Sequence, residues 1–256
     1  MKIEQEQVDE ETVLSYFETS KVLDQYEEAA RKLGLWISEE LVFRKSFPNQ
    51  SSKLLELGCG VGRISFSLWM LGYENITATD VSHKMVKRAL KIQAERRCKI
   101  EFTQEDATGL SFSSSSFDGV IFGFNGLMQI PHRENRKKAM AECFRVLRPG
   151  GLFVFTSHDR SNPKWRKFWE NEQKKWRVGL EDKALIEFGD RYGDTPDGKL
   201  FIHVPDSSTI RKDLKEAGFV VDRDVLRSKL ADEPKEVRDF SDECRFWVAR
   251  KPKLKN

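Results

Sequence analysis

The sequence predicts an α/β protein with a mostly parallel, seven-stranded central sheet and helices on both faces. From residue 53 onward, short apolar segments alternate with helical stretches, the pattern of strands and helices that build a parallel sheet. A glycine-rich turn at residues 58–62 joins the first predicted strand to the first helix of this alternation. Acidic residues follow the next two strands. These features favour an open sheet whose ligand site lies at the carboxyl ends of its strands.

The apolar segments give the boundaries of the predicted elements. Five consecutive strands are expected at residues 53–57, 76–80, 99–104, 119–124 and 152–157. Helices are expected between them at residues 63–71, 82–96 and 133–147. The chain then resumes with a strand at residues 200–204, a helix at 207–217 and strands at 219–225 and 245–249. This last part, residues 201–256, is expected to complete the sheet.

Two segments are predicted to be additions to a core that spans residues 51–159. Residues 1–50 form a predicted N-terminal helical cap, because apolar residues recur at three- and four-residue steps over residues 10–45 and indicate two helices. Residues 160–200 break the alternation and are predicted to be an insertion after strand five, with residues 189–199 as a loop.

Composition and charge exclude several classes of protein. The 44 basic and 41 acidic residues leave a formal charge of +3, too small by itself to suggest a nucleic-acid partner. The four cysteines are scattered and form no C-x-x-C pair, so neither a metal cluster nor a disulfide scaffold is expected. The N-terminal segment lacks the apolar core of a secretory signal, and no apolar run reaches the roughly 18 residues of a spanning helix. We therefore expect a cytoplasmic protein with no metal and no membrane partner, whose oligomeric state stays open.

The turn after the first strand reads ELGCGVGR at residues 56–63. A dinucleotide site needs G-x-G-x-x-G/A, but counting from Gly58 the last position is Arg63, which is too bulky for close packing of the helix on the strand. The spacing is G-x-G-x-G instead, and Glu56 precedes it. An acid at that position suits a cofactor that carries an ammonium group rather than a diphosphate, which describes S-adenosylmethionine.

Two further acids accompany the glycine turn. Asp80 closes the second strand about 20 residues beyond the turn, where a carboxylate can accept hydrogen bonds from both ribose hydroxyls. Asp106 follows the third strand, farther along the same edge, where the amine of an adenine needs an acceptor. Either acid alone is more often a helix cap or a loop residue, but the joint spacing favours a nucleoside site.

Five segments, in order ELGCGVGR, TDVSHKMVKRA, QEDATGL, FDGVIF and RVLRPGGLFVF, resemble successive motifs of the class I S-adenosylmethionine-dependent methyltransferases, over residues 53–157. The resemblance implies a Rossmann-like fold, methyl transfer, and S-adenosylhomocysteine as the product. It also implies a set of cofactor-binding residues: Glu56, Gly58, Cys59, Gly60, Gly62, Arg63, Asp80, Val81, Met85, Asp106, Ala107, Phe124 and Asn125. In this scheme the glycines pass the methionine moiety, and Phe124 and Asn125 lie nearest the reactive methyl group.

The sequence also departs from some relatives within this resemblance. After the fourth strand it has Phe124-Asn125-Gly126-Leu127 where amino- and DNA-methylating members have an Asn/Asp-Pro-Pro-Tyr segment, which puts methylation of a base amine in doubt. Arg63 resembles a group that meets the cofactor carboxylate, but an arginine on a surface helix explains it equally well.

A dedicated catalytic residue is not required, because the charged leaving group of a sulfonium needs no acid. A hydroxyl or ammonium acceptor would require a base, and the candidates near strand ends are His132, His158, Asp159 and His203. We prefer His158, followed by His132, although any one of these histidines is more often a loop or capping residue. His203 is also a candidate for contact with the acceptor.

The insertion holds an aromatic and basic segment at residues 162–180, with tryptophans, a phenylalanine and six basic residues at helical spacing. Such a helix can dock nucleic acid, lie on a membrane surface, or cover the active site as a lid. We prefer the lid, because Glu170 and Glu172 dilute the positive charge. Trp165 and Trp169 of this lid, with Trp36 of the N-terminal cap, are then expected to contact the acceptor.

Two functions follow from these patterns. The first is transfer of a methyl group to O or N of a small-molecule acceptor. The second is methylation of RNA, or binding of S-adenosylmethionine without turnover. Salt-sensitive retention on RNA would favour the second.

Overall fold

A computed structural model describes residues 7–253 and has a seven-stranded sheet in the order β3-β2-β1-β4-β5-β9-β8, which confirms the predicted fold class. The first five strands are parallel, and β9 runs antiparallel between β5 and β8. The strands of the chain are β1 Leu54–Leu57, β2 Ile76–Asp80, β3 Glu101–Gln104, β4 Phe117–Phe122, β5 Leu147–Ser157, β6 Asp190–Thr195, β7 Gly198–His203, β8 Val220–Leu226 and β9 Arg245–Arg250. The helices are α1 Glu10–Phe17, α2 Ser20–Lys32, α3 Ile37–Ser46, α4 Arg63–Met70, α5 His83–Arg96, α6 Arg133–Val146, α7 Arg166–Arg177, α8 Ser207–Glu216 and α9 Lys235–Phe240.

The central strands are buried on both faces, which explains why they are apolar throughout. Successive residues of a strand point to opposite faces, so Leu54 joins one hydrophobic cluster and Leu55 joins the other. The same division places Ile121 of β4 in the first cluster and Val120 in the second. Two helical layers therefore cover the sheet, as a parallel sheet requires.

The order of the strands reverses beside β1, because the chain goes from β1 outward to β2 and β3 and then returns to β4. Connections leave β1 and β4 in opposite directions at this point, so a crevice opens at their carboxyl ends. The turn after β1 contains the glycines of residues 58–62. The fold itself therefore places the glycine turn at the crevice.

The N-terminal cap contains three helices where the sequence pattern predicted two. The Asp9 side chain accepts a hydrogen bond from the Thr12 amide at 2.8 Å and starts α1, which ends before Thr19. The Glu39 carboxylate accepts the Trp36 amide at 2.9 Å and starts α3. The longest described helices have 14 residues, and none of the described helices combines the length and apolar character needed to cross a bilayer.

Several local expectations were wrong, among them the start of β5, which lies at Leu147 and not at residue 152. Residues 189–199 are not a loop, because β6 and β7 pair along their whole length as an antiparallel hairpin that turns at 196–197. The strand expected at 200–204 belongs to this hairpin and not to the central sheet. Strand β4 begins at Phe117, two residues before its predicted start. Glycines and aspartates in β6 resemble loop residues, and only the pairing with β7 reveals the strand.

Gly119 of β4 packs closely against Phe47, the residue that follows α3 of the N-terminal cap. A Cβ atom at Gly119 would lie 2.2 Å from Cε1 of Phe47 and 2.8 Å from Cδ2 of Leu54. We expect Gly119→Ala to lower the free energy of unfolding by about 1–3 kcal/mol, since overpacking forces neighbours to move. Gly193→Ala is the control, because nothing lies within 4 Å of its Cβ position. Denaturant unfolding that shows equal losses for the two variants would contradict this packing.

Candidate active site

A cavity of about 400 Å³ opens at the carboxyl ends of β1, β2 and β4. The glycine turn and the end of β2 form its floor, and residues 105–108 after β3 form one end. Residues of α1 and α2 form the opposite wall. The cavity thus lies at the crevice that the strand order creates, between the core and the N-terminal cap.

The glycine turn needs residues without side chains for two reasons. Gly58 and Gly62 have positive φ angles of 60° and 90°, which favour glycine. A Cβ atom at Gly58 would lie 2.7 Å from the ring of Phe122, and one at Gly62 would lie 2.8 Å from the ring of Phe66. The turn therefore packs closely on β4 and α4 while its backbone faces the cavity.

Asp80 connects the end of β2 to the glycine turn. Its carboxylate accepts hydrogen bonds from the Gly60 amide at 2.8 Å and from the Ser82 amide at 2.9 Å. Removal from water nevertheless raises the pKa of Asp80 to about 6. Asp106, at the other end of the cavity, is exposed, and one of its oxygens accepts bonds from both the amide and the hydroxyl of Thr108.

Glu56 and Arg63 lie at the inner end of the cavity. Glu56 is buried on β1, where the Ser65 hydroxyl donates to its carboxylate, and burial raises the pKa of Glu56 to about 8. The Arg63 guanidinium donates to both oxygens of Glu39, at 2.6 and 2.7 Å, and to the Gly34 carbonyl at 2.7 Å. Arg63 is therefore a buried, paired residue and not a surface arginine, and Glu39 compensates its charge.

Aromatic and aliphatic side chains form the remaining walls. The Tyr26 ring lies over the glycine turn, so that a Cβ atom at Gly60 would be 3.1 Å from its Cδ1 atom. Phe124 contacts Tyr26 edge to face at 6.1 Å and stacks on Phe240 of α9 at 5.1 Å. Phe17 of α1 completes this aromatic side, together with aliphatic neighbours in the wall: Val13, Leu14, Ile130 and Pro131.

The structure brings most of the predicted cofactor residues into this one wall. Those that line the cavity are Glu56, Gly58, Cys59, Gly60, Arg63, Asp80, Val81, Met85, Asp106, Ala107 and Phe124. Gly62 and Asn125 do not line it. Gly62 packs against Phe66 on the side of the turn away from the cavity. The backbone amide of Asn125 donates to Thr156 Oγ1 at 2.8 Å.

None of the candidate bases lines the cavity. His158 lies behind Asn125, whose side-chain nitrogen is 3.3 Å from His158 Nε2, while His158 Nδ1 is 2.9 Å from the Glu243 carbonyl. Burial lowers the pKa of His158, which favours the neutral ring. His132 is the residue before α6 and has a positive φ of 62°, and Asp159 pairs with Arg245 at 3.0 Å. The preferred role of His158 as a base in contact with the acceptor therefore lacks geometric support.

The aromatic insertion, which was expected to be a lid, does not line the cavity in this structure. The Trp169 ring packs on Phe168 at 4.9 Å and on Phe188 at 5.9 Å, and the Arg191 guanidinium lies 5.3 Å from the Trp165 ring. These rings therefore pack against other residues of the insertion. None of the described residues 163–177 lines the cavity. The cover is α1, which is attached to the insertion by the Val8 amide and the Ala184 carbonyl at 3.0 Å.

Trp36 and His203, the other two predicted acceptor contacts, are also outside the cavity wall. Trp36 is buried behind Phe124, at 5.7 Å between ring centres. His203 is buried in the hairpin, where Nδ1 is 2.8 Å from Asp190 Oδ1. Glu187 lies beside this pair and could with them surround a cation, but Arg136 already pairs with Glu187. The hairpin cluster is thus a paired structural network.

Several wall residues were not predicted as site residues. Val13, Leu14 and Phe17 showed helical periodicity, but periodicity does not indicate what a helix face covers. Phe240 lies on α9, a six-residue helix for which no element was predicted. Only the tertiary packing of the cap and the C-terminal segment reveals these residues.

Comparisons with known proteins agree with this geometry. A family model described as a methyltransferase domain matches residues 54–151. The chain is 41% identical over 106 residues to a demethylmenaquinone methyltransferase of Leptospira interrogans, which is 40% of this chain and 41% of that protein. Residues 54–151 therefore match a methyltransferase domain, which agrees with the resemblance of the sequence to the class I S-adenosylmethionine-dependent methyltransferases.

The chain also matches relatives with different names. It is 30% identical over 109 residues, 41% of this chain and 16% of the other, to an eEF1A lysine and N-terminal methyltransferase homolog of Drosophila melanogaster. Its fold matches a solved methyltransferase structure from Methanosarcina mazei with a TM-score of 0.67, 20% identity, and coverage of 83% of this chain and 98% of that one. Because the chain spans less than half of the length of these curated relatives, the likeness shows the domain and not the acceptor.

The raised pKa of Glu56 makes the stability of the ligand-free protein sensitive to pH. Its folded-state value of about 8 lies above its ordinary value of 4.5, so the folded state binds an extra proton between these values. We expect the free energy of unfolding to fall by more than about 1 kcal/mol as pH rises through this window. Glu56→Gln should flatten the fall, whereas Glu11→Gln, at an exposed cavity residue, should not. Identical pH profiles for wild type and Glu56→Gln in denaturant unfolding would contradict the burial of this charge.

Proposed function

We propose that this protein transfers the methyl group of S-adenosylmethionine to a small-molecule acceptor held in the cavity between the core and the N-terminal cap. The observation that carries the proposal is the cavity itself, where the glycine turn, Asp80 and Asp106 line one continuous wall. Aromatic side chains of the cap and of α9 close the opposite side. A cofactor and a small acceptor can therefore lie side by side in a site shielded from water.

The chemistry of the wall fits the cofactor. Six of the described lining residues carry carboxylates, and Arg63, the one positively charged residue among them, is paired with Glu39. An excess of negative charge favours a ligand that carries an ammonium and a sulfonium. In this scheme Glu56 lies near the ammonium, Asp80 accepts hydrogen bonds from the ribose hydroxyls, and Asp106 lies near adenine.

The protein's own part in the reaction is to position the two reactants. When bound, S-adenosylmethionine supplies an electrophilic methyl group on a charged sulfur. Tyr26 and Phe124 border the space beside the glycine turn, and Phe240 borders it from α9. Holding an acceptor against these rings at the correct distance supplies much of the rate acceleration. We assign no general base, because none of the candidates His132, His158, Asp159 and His203 is among the described lining residues.

An RNA acceptor is less well supported. Base stacking needs free aromatic faces beside basic side chains. The rings of α7 pack on one another, on Phe188 and against Arg191 instead. The carboxylates of the cavity wall would also repel a phosphate backbone. Binding of S-adenosylmethionine without turnover is the other alternative, and the assay below tests it.

We also propose that the protein acts in the cytoplasm, as a core with an N-terminal cap and an insertion. All four cysteines are buried and unpaired, which suits a reducing compartment. The cap is joined to the core through Glu39 and Arg63, and to the insertion through Val8 and Ala184. These contacts support a single unit that works as one enzyme.

Asp80 is the most informative residue for cofactor binding. We expect Asp80→Ala to weaken binding of S-adenosylhomocysteine at least tenfold, on the order of 1.4 kcal/mol, because charge-assisted hydrogen bonds to the ribose are lost. Asp24→Ala, at an exposed carboxylate on α2, is the control and should bind normally. Calorimetric titration measures both affinities. Equal affinities for Asp80→Ala and wild type would remove Asp80 from the site.

Turnover is tested by following S-adenosylhomocysteine release with a metabolite extract and, separately, with RNA. We expect release with small molecules in the wild type and little in Asp80→Ala at cofactor concentrations below saturation. Cofactor binding without release under either condition would support the non-catalytic alternative. Release with RNA alone would replace the proposed acceptor class.

A further inference from the structure

Arg227 is a buried cation without a matching anion. The residue is 6% exposed, and its Nη2 atom donates to the Ser241 carbonyl at 2.9 Å. Its Nη1 atom has no hydrogen-bond partner, and no carboxylate of the described residues 7–253 lies within 4.0 Å of the guanidinium. Buried charges in proteins are normally paired, so an unpaired guanidinium needs an explanation.

Two more donors without partners among the described residues occur at the start of α3. The Arg227 Cζ atom is 5.2 Å from the ring centre of Trp36, whose Nε1 atom is buried and has no partner among these residues. Ser38, two residues further along the chain in the first turn of α3, has a fully buried Oγ atom that also has none. Arg227 therefore packs against the start of α3, where two further buried donors occur.

The carboxylates of the same region are already used. Glu39 accepts bonds from Arg63 and from the Trp36 amide. Glu233 accepts bonds from the Ile37 amide at 3.1 Å and the Ser38 amide at 2.8 Å. Neither carboxylate accepts a hydrogen bond from the three free donors, and neither forms an ion pair with Arg227. A partner for these donors must therefore provide oxygen lone pairs.

Trp36 connects these donors to the aromatic wall of the cavity. Trp36 contacts Phe124 at 5.7 Å, and Phe124 stacks on Phe240 at 5.1 Å with an angle of 22° between the rings. Both phenylalanines line the cavity. Phe240 is the last residue of α9, whose one buried residue is Val237. Trp36 thus packs against a ring of the cavity wall and is itself outside that wall.

We infer that Arg227, Trp36 and Ser38 form the polar end of the acceptor subsite and bind an oxygen of a planar, largely apolar acceptor whose ring replaces Phe240 against Phe124. This inference rests on the proposed methyltransferase function and specifies its acceptor as a carbonyl-, phenol- or carboxylate-bearing ring compound. Arg227 and Trp36 are positioning residues in this scheme. They orient the ring so that its reactive atom faces the glycine turn.

The test uses the full-length protein, labelled with 15N and saturated with S-adenosylhomocysteine. Benzoate, phenol and benzylammonium are added as three probes of one ring size, with carboxylate, neutral oxygen and cationic nitrogen. The readout is the indole N–H resonance of Trp36, identified by its loss in Trp36→Phe. We expect benzoate or phenol to shift this resonance saturably and benzylammonium to leave it unchanged. The stronger of the two oxygen probes then indicates whether the natural acceptor presents a carboxylate or a neutral oxygen.

Variants separate binding from folding. Arg227→Met should weaken the effective oxygen probe at least tenfold and leave the affinity for S-adenosylhomocysteine unchanged, and Ser38→Ala should weaken it by a smaller factor. Arg223→Met, at an exposed arginine of β8, is the matched control. If Arg227→Met folds poorly, Ser38→Ala and Arg227→Lys provide the same comparison.

Three results would overturn the inference: no Trp36 shift with either oxygen probe up to its solubility limit, an equal shift with benzylammonium, or unchanged probe affinity in Arg227→Met. The donors would then hold water only. Failure of the proposed function is distinguishable, because it would appear earlier as an absence of S-adenosylhomocysteine binding to the wild type.

Discussion

The ion pair between Arg63 and Glu39 is the interaction on which the site depends. Arg63 is the first residue of α4, directly after the glycine turn, and Glu39 lies in the first turn of α3 in the cap. Two hydrogen bonds join their side chains, a third joins Arg63 to the Gly34 carbonyl, and Glu39 also accepts the Trp36 amide. Removing one partner of such a buried pair typically costs about 3–5 kcal/mol, because the other charge is left without compensation. The pair therefore fixes the glycine turn and the cap as one unit.

This pairing also decides the electrostatics of the cavity. With the charge of Arg63 compensated, the carboxylates of Glu56 and Asp80 dominate the floor. Burial raises the pKa of Glu56 to about 8 and of Asp80 to about 6, so both sites are less ionised without a ligand than carboxylates in water. A ligand that carries positive charge and hydroxyl donors would favour the ionised forms. Burial of these two carboxyl groups thus destabilises their charged forms in the ligand-free protein. A cationic nucleoside in the cavity would stabilise the same charged forms.

The parts of the molecule that depend on local sequence patterns could be predicted from the sequence. The five parallel strands have continuous apolar segments, and the glycine turn is defined within eight residues, so both could be predicted. The position of α1 could not, because it depends on Val8 meeting Ala184 and on Tyr16 meeting Thr195 across the hairpin. The tryptophans of α7 suggested a lid because spacing shows that residues share a face but not which partner covers it. Arg227 gave no signal in the sequence, since a lone arginine is ordinarily an exposed residue.

Residues of the N-terminal cap and of α9, and none of the aromatic helix α7, line the cavity proposed to hold the cofactor. Hydrogen–deuterium exchange with and without S-adenosylhomocysteine tests this placement of the cofactor most directly, since bound ligand protects the backbone that surrounds it. We expect slower exchange in the glycine turn, in α1 and α2, and in α9, with no change in α7. Protection of α7 while the cap exchanges at an unaltered rate would contradict this placement.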